Sequence, residues 1–494
     1  MTQLFKAMIS GDHPSSGSME VVAPYDQGVI AKVQICGTAG VDRALDAAHR
    51  LFRDRSQWLT TAQRIAILEQ ATRIMGQRAE ELAMEAAREG GKPLADSRVE
   101  MARAIDSLRI CVDCLRTQSG ETVPMGINAA SMGRLAFTSR EPIGLVVAIS
   151  AFNHPLNLIC HQAGPAVAAG CPVIVKPADD TPLSCFRLVE ILREAGLPEG
   201  WCQALVTTGP DISTHLATDP RVAFLSFIGS ARVGWMLRSR LAPGARCALE
   251  HGGVAPVIVA EDADIEQAVP KLLKGAFYHA GQVCVSVQRV FAHRSIAREL
   301  AERLAEGAEA LVVGDPTLPE TQVGPLIRPS EVERVGQWVD AAVEEGAELL
   351  AGGRALSSTS YACTLLYDPA AGSKVSTQEV FGPVLCVYPY DELEEAMERA
   401  NQLPYAFQAA VFASHIDTLM RAYRGLDASA VMANDHTAFR VDWMPFAGLR
   451  HSGLGVGGIP YTLRDMQIDK LLVIDSPGLN QDSSVERSIL KPSD

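Results

Sequence analysis

Leu145-Val146-Val147-Ala148-Ile149 is a continuous apolar run, and the architecture of the chain can be built up from it. Such a run is typical of a strand that is buried on both faces, as strands of parallel sheets are. Strand-like and helical segments alternate after it. They are strands at 173–176, 204–207 and 223–227 and helices at 183–195 and 212–218. Repeated β-α-β order predicts an α/β fold in which helices cover both faces of a parallel sheet.

The segments on either side extend this unit and add a second one. Residues 41–114 follow a helical pattern that is broken at Gly90-Gly91-Lys92-Pro93. Further helices are expected at 296–311, 329–345 and 392–401, with a strand at 384–387. We therefore expect two Rossmann-like parallel-sheet units, one from residues 1–120 and 141–250 and one from residues 251–455.

Two segments with strand character lie outside both units. Residues 134–139 alternate between apolar and polar side chains, and residues 466–474 form a second strand-like run. Residues 121–140 and 456–494 therefore lie outside both units, and 476–494 is expected to be loosely ordered. A long unpaired edge strand would promote aggregation, so these strands favour an oligomer.

Composition excludes several classes of partner. The chain has 494 residues and a formal net charge of −14, whereas nucleic-acid binding requires a concentrated basic face. No apolar run approaches the roughly 20 residues that span a bilayer. The N-terminus, Met1-Thr2-Gln3-Leu4, lacks the basic and apolar regions of a secretion signal. We expect neither nucleic acid nor a membrane among the partners.

The cysteines indicate a reducing compartment. There are eleven, an odd number scattered through the chain, which favours free thiols in the cytoplasm. Cys111 and Cys114 form a Cys-x-x-Cys pair inside a helical pattern at 101–114, without a second pair at zinc-finger spacing. Core packing is therefore expected for this pair, and no metal site is predicted.

One cysteine has a different setting. Cys284 follows Gly281-Gln282-Val283, and Glu250 precedes it by 34 residues at the start of Glu250-His251-Gly252-Gly253. A thiol is mostly protonated at neutral pH, so a nucleophilic cysteine needs a nearby group that accepts its proton or stabilises the thiolate. The alternative for any single cysteine is a small buried apolar side chain.

Polar side chains also follow the predicted strands. Asn153 lies at a strand-to-helix corner before Pro155, the predicted first residue of a helix, where it either points into a cleft or caps that helix. Lys176 and Asp179 follow the next strand, where nucleotide hydroxyls are commonly bound, although a solvated surface pair is the alternative.

A glycine-containing turn follows the strand at 223–227. Gly229-Ser230 and Gly234 allow a helix N-terminus to approach a pyrophosphate closely, but they lack the usual dinucleotide spacing. By itself, Glu379-Val380-Phe381-Gly382-Pro383 indicates only a turn with a buried aromatic ring.

In order and spacing, these motifs resemble the aldehyde dehydrogenase superfamily from about residue 20 to residue 475. The nearest resemblance is to phosphonoacetaldehyde and lactaldehyde dehydrogenase-like members. The resemblance implies that Cys284 is the nucleophile, that Glu250 is the base, and that Asn153 forms an oxyanion hole with the backbone N–H of Cys284. His251 and Val254 depart from the residues that are most common in the family.

The resemblance also implies a nicotinamide cofactor. The positions that match the family's cofactor contacts are Lys176, Asp179, Gly229, Ser230, Glu379 and Phe381. Asp179 stands where the family has Glu, so the carboxylate is kept but shortened. Because a carboxylate repels a 2′-phosphate and accepts from a 2′-hydroxyl, we expect NAD rather than NADP.

The substrate is expected to be a small aldehyde with an anionic tail. The family lines its aldehyde tunnel from the residue six before Phe446, here Arg440, and from the helix face that carries His154, Leu158 and His161. Arginine binds carboxylate, phosphonate, phosphate or sulfonate groups in a bidentate manner, and Arg103 is a second candidate contact.

Some observations weaken this substrate assignment. Arg440 could instead pair with Asp442 on a surface loop, and isolated histidines are often ordinary core or surface groups. Val283 stands where phosphonate enzymes tend to carry arginine.

Three functions remain in competition. The first is oxidation of an aldehyde to the carboxylic acid through a thiohemiacetal and a thioester on Cys284. The second is a CoA-acylating semialdehyde dehydrogenase, against which the presence of Glu250 argues. The third is a catalytically retired structural or binding homologue. In each case the resemblance implies that residues 121–140 and 456–494 form a β-arm for oligomerisation and a tail, and that the protein is a homodimer or homotetramer.

Overall fold

The structure, a computed structural model, describes residues 2–11 and 15–480. Most of the predicted loose tail, 476–494, lies outside the described residues. Within the described ranges, no helix is both long enough and apolar enough to cross a bilayer.

Two large sheets form the α/β fold. The strands of the first sheet, in spatial order, are Gly453–Leu454, Arg246–Glu250, Val222–Ile228, Leu145–Ile149, Val173–Lys176 and Cys202–Ala204. All neighbours in it are parallel except Gly453–Leu454. The run Leu145–Ile149 lies near the middle and is buried throughout, as its composition predicts.

The second sheet has seven strands. In spatial order they are Glu348–Ala351, Thr364–Tyr367, Val384–Tyr390, Val287–His293, Ala255–Val259, Gln408–Phe412 and Ala430–Ala433. Only the pairing of the first two is antiparallel. The predicted fold class, two parallel-sheet units with covering helices, is confirmed.

Helices cover both sheets. Those that accompany the first sheet are Thr38–Arg53, Thr61–Gln77, Ala79–Gly90, Leu94–Thr117, Asn157–Ala169, Leu183–Glu194, Pro210–Thr218 and Ala231–Arg240. Those that accompany the second are Ile265–Phe277, Arg294–Ala310, Pro329–Glu344, Lys374–Thr377, Leu393–Asn401 and Ile416–Gly425. The helix Ile459–Asp465 packs against Asn157–Ala169. The predicted break at residues 90–93 is present, but two further breaks divide 41–90 into three helices.

An arm of three antiparallel strands stands apart from both sheets. Gln467–Asp475 pairs along its whole length with Arg134–Pro142, which also pairs with Thr122–Val123. The predicted strands at 134–139 and 466–474 are therefore present. A smaller sheet joins Leu4–Phe5, Ser18–Val22 and Val29–Cys36 near the N-terminus.

Two predicted boundaries are wrong. The strand predicted at 204–207 is two strands: Cys202–Ala204 belongs to the first sheet, whereas Val206–Thr207 pairs with Val29–Cys36. The helix predicted to begin at Pro155 begins at Asn157. Its first backbone amides donate to the buried carboxylate of Glu100, with Leu156 N and Asn157 N each 3.0 Å from Oε1. A tertiary contact, rather than the proline, fixes this helix end.

Candidate active site

A cleft of about 550 Å³ opens at the carboxyl ends of the central strands of the first sheet and faces the second sheet. Register explains why its polar residues converge. Ile149 is opposite Lys176 and Phe227, and Ile228 is opposite Glu250, so these strands end at one edge. Clefts at this edge of parallel sheets are common ligand sites. Most of the predicted site residues line it. They are Cys284, Glu250, Asn153, Lys176, Asp179, Gly229, Ser230, Glu379, Phe381, Arg440, His154, Arg103 and Phe446.

An irregular turn presents Cys284 to the cleft. Three consecutive residues, His279, Ala280 and Gly281, have left-handed backbone angles with φ of 49°, 54° and 71°. A side chain at Gly281 would also overlap the carbonyl oxygen of Gly382. Left-handed angles are costly for residues other than glycine and persist only where the surroundings enforce them. The turn is therefore a rigid support for the thiol.

Gln282 is the anchor of this turn. Its buried side chain donates from Nε2 to the carbonyl of Pro325 at 3.2 Å and accepts from the backbone N–H of Ile327 at 2.9 Å. Its own carbonyl accepts from Nδ2 of Asn153 at 2.9 Å. An amide carries two N–H donors, so the second one on Asn153 remains for a ligand. The sequence alone did not single out Gln282 as a positioning residue.

The environment of Cys284 keeps its thiol protonated in the free protein. Burial raises the pKa of Cys284 to about 12, Arg440 lowers it, and the carboxyl groups of Glu379 and Glu250 raise it. The sulfur packs beside a small apolar cluster that includes Val283, Val285 and Phe446. A reactive thiolate therefore requires a base, a ligand or a change of solvation within the cleft.

Glu250 ends the strand Arg246–Glu250 and lines the same cleft. Burial raises the pKa of Glu250, and the positive charge of Arg440 partly offsets that effect. A carboxylate with a raised pKa is a stronger base than one in water. Glu250 and Cys284 both interact electrostatically with Arg440, which indicates that the three groups share one region of the cleft.

Glu379 also lines the cleft. Its carboxyl accepts from the backbone N–H of Gly253 at 3.2 Å, and burial raises its pKa to about 8. A side chain at Gly252 would overlap this carboxyl group, so the absence of a Cβ there lets Glu379 lie against the backbone. Phe381 holds a left-handed φ of 45°, and its ring meets Phe152 edge-on at 5.7 Å.

Charged pairs stand at the opposite end of the cleft. Nζ of Lys176 lies 2.6 Å from Oδ1 of Asp179, and the Asp179 side chain is half exposed. Arg328 reaches across from the second unit and donates to Asp180 in a bidentate manner. Ser230 precedes the helix Ala231–Arg240, and its side chain makes no hydrogen bond that caps this helix.

Arg440 is the cation nearest to the predicted chemistry. Its guanidinium carbon lies 3.6 Å from the ring centroid of Phe446, and its Nη2 lies 3.3 Å from Nδ1 of His161. Its Nε is buried and has no hydrogen-bond partner in the described chain. Arg440 does not pair with Asp442, which was the competing interpretation of the sequence.

Asp442 instead pairs with Arg103 and His161. Arg103 donates to its two oxygens at 3.1 and 2.7 Å, and His161 Nε2 lies 2.7 Å from Oδ1. These bonds lower the pKa of this buried carboxyl against the effect of burial. His161 therefore lies behind Arg440 and does not line the cleft, whereas Arg103 does line it with its charge already matched. The sequence suggested Asp442 only as a partner of Arg440 and did not indicate that it joins Arg103 and His161.

His251, which departs from the residue most common in the family, contacts side chains and backbone outside the chemistry. It directs Nδ1 to the carbonyl of His451 at 2.9 Å and its ring toward Trp235.

In the described chain, Asp42, His215 and Asp219 form one group with the composition of a metal site. The guanidinium of Arg221 pairs with both of these aspartates and already supplies a positive charge there.

Cys111 lies in the helix Leu94–Thr117 with its side chain in the core, as predicted. All eleven cysteines fall in the described part of the chain, and all are free thiols.

A cleft lined by a cysteine, a carboxylate and an amide at the ends of parallel strands is the arrangement that the sequence predicts for a thiol-dependent dehydrogenase. The chain belongs to the aldehyde dehydrogenase family, whose model matches residues 12–471. It is an NAD(P)-dependent enzyme that oxidises aldehydes.

The chain is 37% identical to 3-sulfolactaldehyde dehydrogenase of Priestia aryabhattai over 457 residues, which is 92% of this chain and 95% of that protein. Among solved structures, it is similar to aldehyde dehydrogenase 21 of Physcomitrella patens in complex with the reaction product succinate. The TM-score is 0.92 at 31% identity, over 97% of this chain and 99% of that one. It is also similar to glyceraldehyde-3-phosphate dehydrogenase of Methanocaldococcus jannaschii complexed with NADP. There the TM-score is 0.89 at 33% identity, over 94% and 100%.

Proposed function

We propose that this enzyme oxidises a small aldehyde with an anionic tail to the carboxylic acid, with NAD as the preferred cofactor. The observation that carries the proposal is the position of Arg440, which lines the cleft with Cys284 and has no carboxylate bonded to it among the described residues. A partly buried cation without a bonded anion is unfavourable, and a carboxylate, sulfonate, phosphonate or phosphate would supply that partner.

In the proposed cycle, the thiolate of Cys284 attacks the aldehyde carbon and forms a thiohemiacetal. The negative oxygen is stabilised by the free N–H of Asn153 and by the backbone N–H of Cys284. Loss of one donor of this kind typically costs about 2.7–4 kcal/mol of transition-state stabilisation. The bond from Asn153 to the carbonyl of Gln282 holds the amide in place for this role.

Glu250 is proposed to take a proton twice. It first accepts the thiol proton of Cys284, directly or through water, and releases that proton to solvent. It later removes a proton from the water that hydrolyses the thioester. Its raised pKa supports both roles. The presence of this base in the cleft favours hydrolysis over release of the acyl group to CoA.

The cleft fits a nicotinamide dinucleotide. Lys176 and Asp179 stand where an adenosine ribose would bind, Gly229 and Ser230 where a diphosphate would bind, and the carboxyl of Glu379 where the second ribose would bind. The bound cofactor accepts the two electrons that the aldehyde carbon loses. The absence of a Cβ at Gly252, which lets the Glu379 carboxyl lie against the backbone in the cleft wall, supports this assignment.

The similar proteins support an anionic substrate. One is named for a sulfonated aldehyde, one is bound to succinate and one is named for a phosphorylated aldehyde. In each compound a negatively charged group lies a few bonds from the carbon that is oxidised. Arg440 is the corresponding cation proposed for this chain. Arg103 forms an ion pair with Asp442. We therefore propose that it orders the network behind Arg440 and does not bind the substrate.

Replacement of Arg440 by alanine is expected to lower kcat/KM for anionic aldehydes by about ten- to a hundredfold, the contribution of a charge-assisted contact. Succinic semialdehyde and its neutral methyl ester form a matched pair for the measurement. Arg440 also lowers the pKa of Cys284, so the change in kcat/KM for the neutral ester measures the effect of the substitution on the thiol. The ratio of kcat/KM for the acid over the ester measures the contact with the anion.

The exposed Arg298 provides a control, since Arg298→Ala removes one positive charge far from the cleft lining. An Arg440→Ala enzyme with an unchanged preference for the acid over the ester would contradict the anionic-tail proposal.

Preference for NAD is proposed to rest on Asp179. Its carboxylate forms an ion pair with Lys176 and would repel a 2′-phosphate. Asp179→Ser is expected to shift the ratio of kcat/KM for NADP over NAD upward by about tenfold, because Lys176 becomes available to the phosphate. Asp54→Ser, on the surface away from the cleft, serves as the control. An unchanged ratio would remove Asp179 from this role.

Domain roles and assembly are proposed on the same basis. Residues 1–120 and 141–250 would bind the cofactor, and residues 251–455 would carry the nucleophile. In the arm, Leu471, Leu472 and Val473 are 51%, 49% and 44% exposed, which supports pairing with other subunits in a homodimer or homotetramer. Eleven free thiols support a cytoplasmic location.

A further inference from the structure

A histidine and a tyrosine form a polar pair in the wall of the cleft. The hydroxyl of Tyr278 lies 3.3 Å from Nε2 of His154, and both side chains line the cleft. His154 is 9% exposed, and its other ring nitrogen has no partner in the described chain. This nitrogen, Nδ1, is not fully buried, so it is accessible from the cleft.

The surroundings of His154 keep its ring neutral. Burial lowers the pKa of His154 well below its ordinary value, and Lys92, Arg103, His279 and Arg440 lower it further. No carboxylate contacts the ring in the described chain, and His279, 6.4 Å away, is itself held neutral by burial. A neutral imidazole offers one donor and one acceptor.

The position of Tyr278 is fixed from outside the cleft. Nζ of Lys274 lies 4.8 Å from the centre of its ring, and Lys274 is held in turn by Asp96 at 2.6 Å. Nζ of Lys92 lies 5.9 Å from the same ring. Cations over an aromatic ring restrict its movement, so the hydroxyl has a defined direction before a ligand arrives.

We propose that His154 and Tyr278 bind a hydroxyl group on the carbon next to the aldehyde carbonyl, so that the substrates of this enzyme are 2-hydroxy aldehydes. The proposal rests on the proposed function, because it takes Asn153 as the group that holds the aldehyde oxygen. His154 directly follows Asn153 and lines the same cleft, so we assign its ring to the carbon that neighbours the carbonyl.

A hydroxyl suits this pair better than an anion does. An alcohol both donates and accepts one hydrogen bond, and a neutral imidazole with a phenol offers both functions whichever ring nitrogen carries the proton. An anion requires donors only, and Arg440 supplies those elsewhere in the cleft. The hydroxyl and the anion are therefore assigned to separate contacts.

The test uses four aldehydes: propanal, lactaldehyde and the sulfonated form of each. Lactaldehyde differs from propanal only by the hydroxyl, and the same holds for their sulfonated forms, so these two pairs measure the effect of the hydroxyl. Each aldehyde compared with its own sulfonated form measures the effect of the charge. We expect wild-type kcat/KM to favour the hydroxylated member of each pair by about tenfold or more. Tyr278→Phe removes a single oxygen and is expected to reduce that ratio by about fivefold. The exposed Tyr423 gives the control Tyr423→Phe, which should keep the ratio.

Inhibition by the acid products provides a readout that does not depend on turnover. Lactate is expected to inhibit the wild type more strongly than propanoate, and Tyr278→Phe is expected to reduce that difference. A wild-type ratio near one for both hydroxyl pairs would overturn the proposal, as would a ratio that Tyr278→Phe leaves intact. A wild type that prefers the hydroxylated aldehydes but does not prefer the sulfonated ones would contradict the proposed anionic tail and would support the hydroxyl assignment.

Discussion

The Cys284→Ala enzyme is expected to lose aldehyde oxidation by about ten-thousandfold or more while it still binds NAD. The reason is that the proposed reaction passes through covalent bonds to this sulfur, and none of the remaining cleft residues can form a thioester. Cofactor binding should survive because Lys176, Asp179 and Glu379 do not depend on the thiol. NADH formation measures the first effect, and titration of NAD by calorimetry measures the second.

Cys114→Ala is the matched control, because Cys114 is a partly exposed thiol on the helix Leu94–Thr117, far from the cleft lining. It should retain full activity. Iodoacetamide gives an independent check, since the raised pKa of Cys284 predicts inactivation of the wild type that accelerates as the pH rises, with Cys284 as the labelled site in a peptide map. Turnover that persists in Cys284→Ala would exclude this residue as the nucleophile.

Strands that consist of continuous apolar residues could be predicted from the sequence with their bounds. Leu145–Ile149 and Val173–Lys176 are present as expected, because only a buried parallel strand satisfies such runs. The segment after residue 201 could not be predicted in this way. Its residues change partner from Val173–Lys176 to Val29–Cys36, a strand more than 150 residues earlier, and local pattern carries no information about that exchange.

The same limit applies to the site. The motif residues Cys284, Glu250 and Asn153 could be found because each lies next to a strand end or a turn that the sequence reveals. Asp442 could not, because its importance comes from Arg103, 339 residues away, and from His161. Tyr278 was missed for a similar reason: its partner His154 lies 124 residues earlier, in the turn that follows a strand of the first sheet.

Arg440 links the two halves of the proposed chemistry. Its charge lowers the pKa of both Cys284 and Glu250, so it favours the thiolate but weakens the base. An anionic substrate that binds Arg440 would partly cancel that charge and would raise the pKa of Glu250. Acid–base strength in the cleft is therefore expected to depend on whether the substrate carries a tail charge.

Replacement of Glu250 by glutamine keeps the shape of the side chain and removes the base. Acylation of Cys284 would slow, but hydrolysis of the thioester would slow more, because water has no other carboxylate assigned to activate it. The expected result is a burst of NADH close to one equivalent per active site, followed by a steady state about a hundred- to ten-thousandfold below wild type. Stopped-flow absorbance measures both phases, and Glu320→Gln, an exposed carboxylate outside the cleft lining, is the control.

The pH dependence of deacylation provides a second measure of the role of Glu250. Burial raises the pKa of Glu250, and its base form is the deprotonated carboxylate, so wild-type deacylation should fall as the pH drops through that raised pKa. A glutamine does not titrate, so Glu250→Gln should lose this acidic limb and retain only the rise in acylation that follows ionisation of Cys284. A variant that shows no burst, an unchanged steady state and the same acidic limb would assign the base to another group.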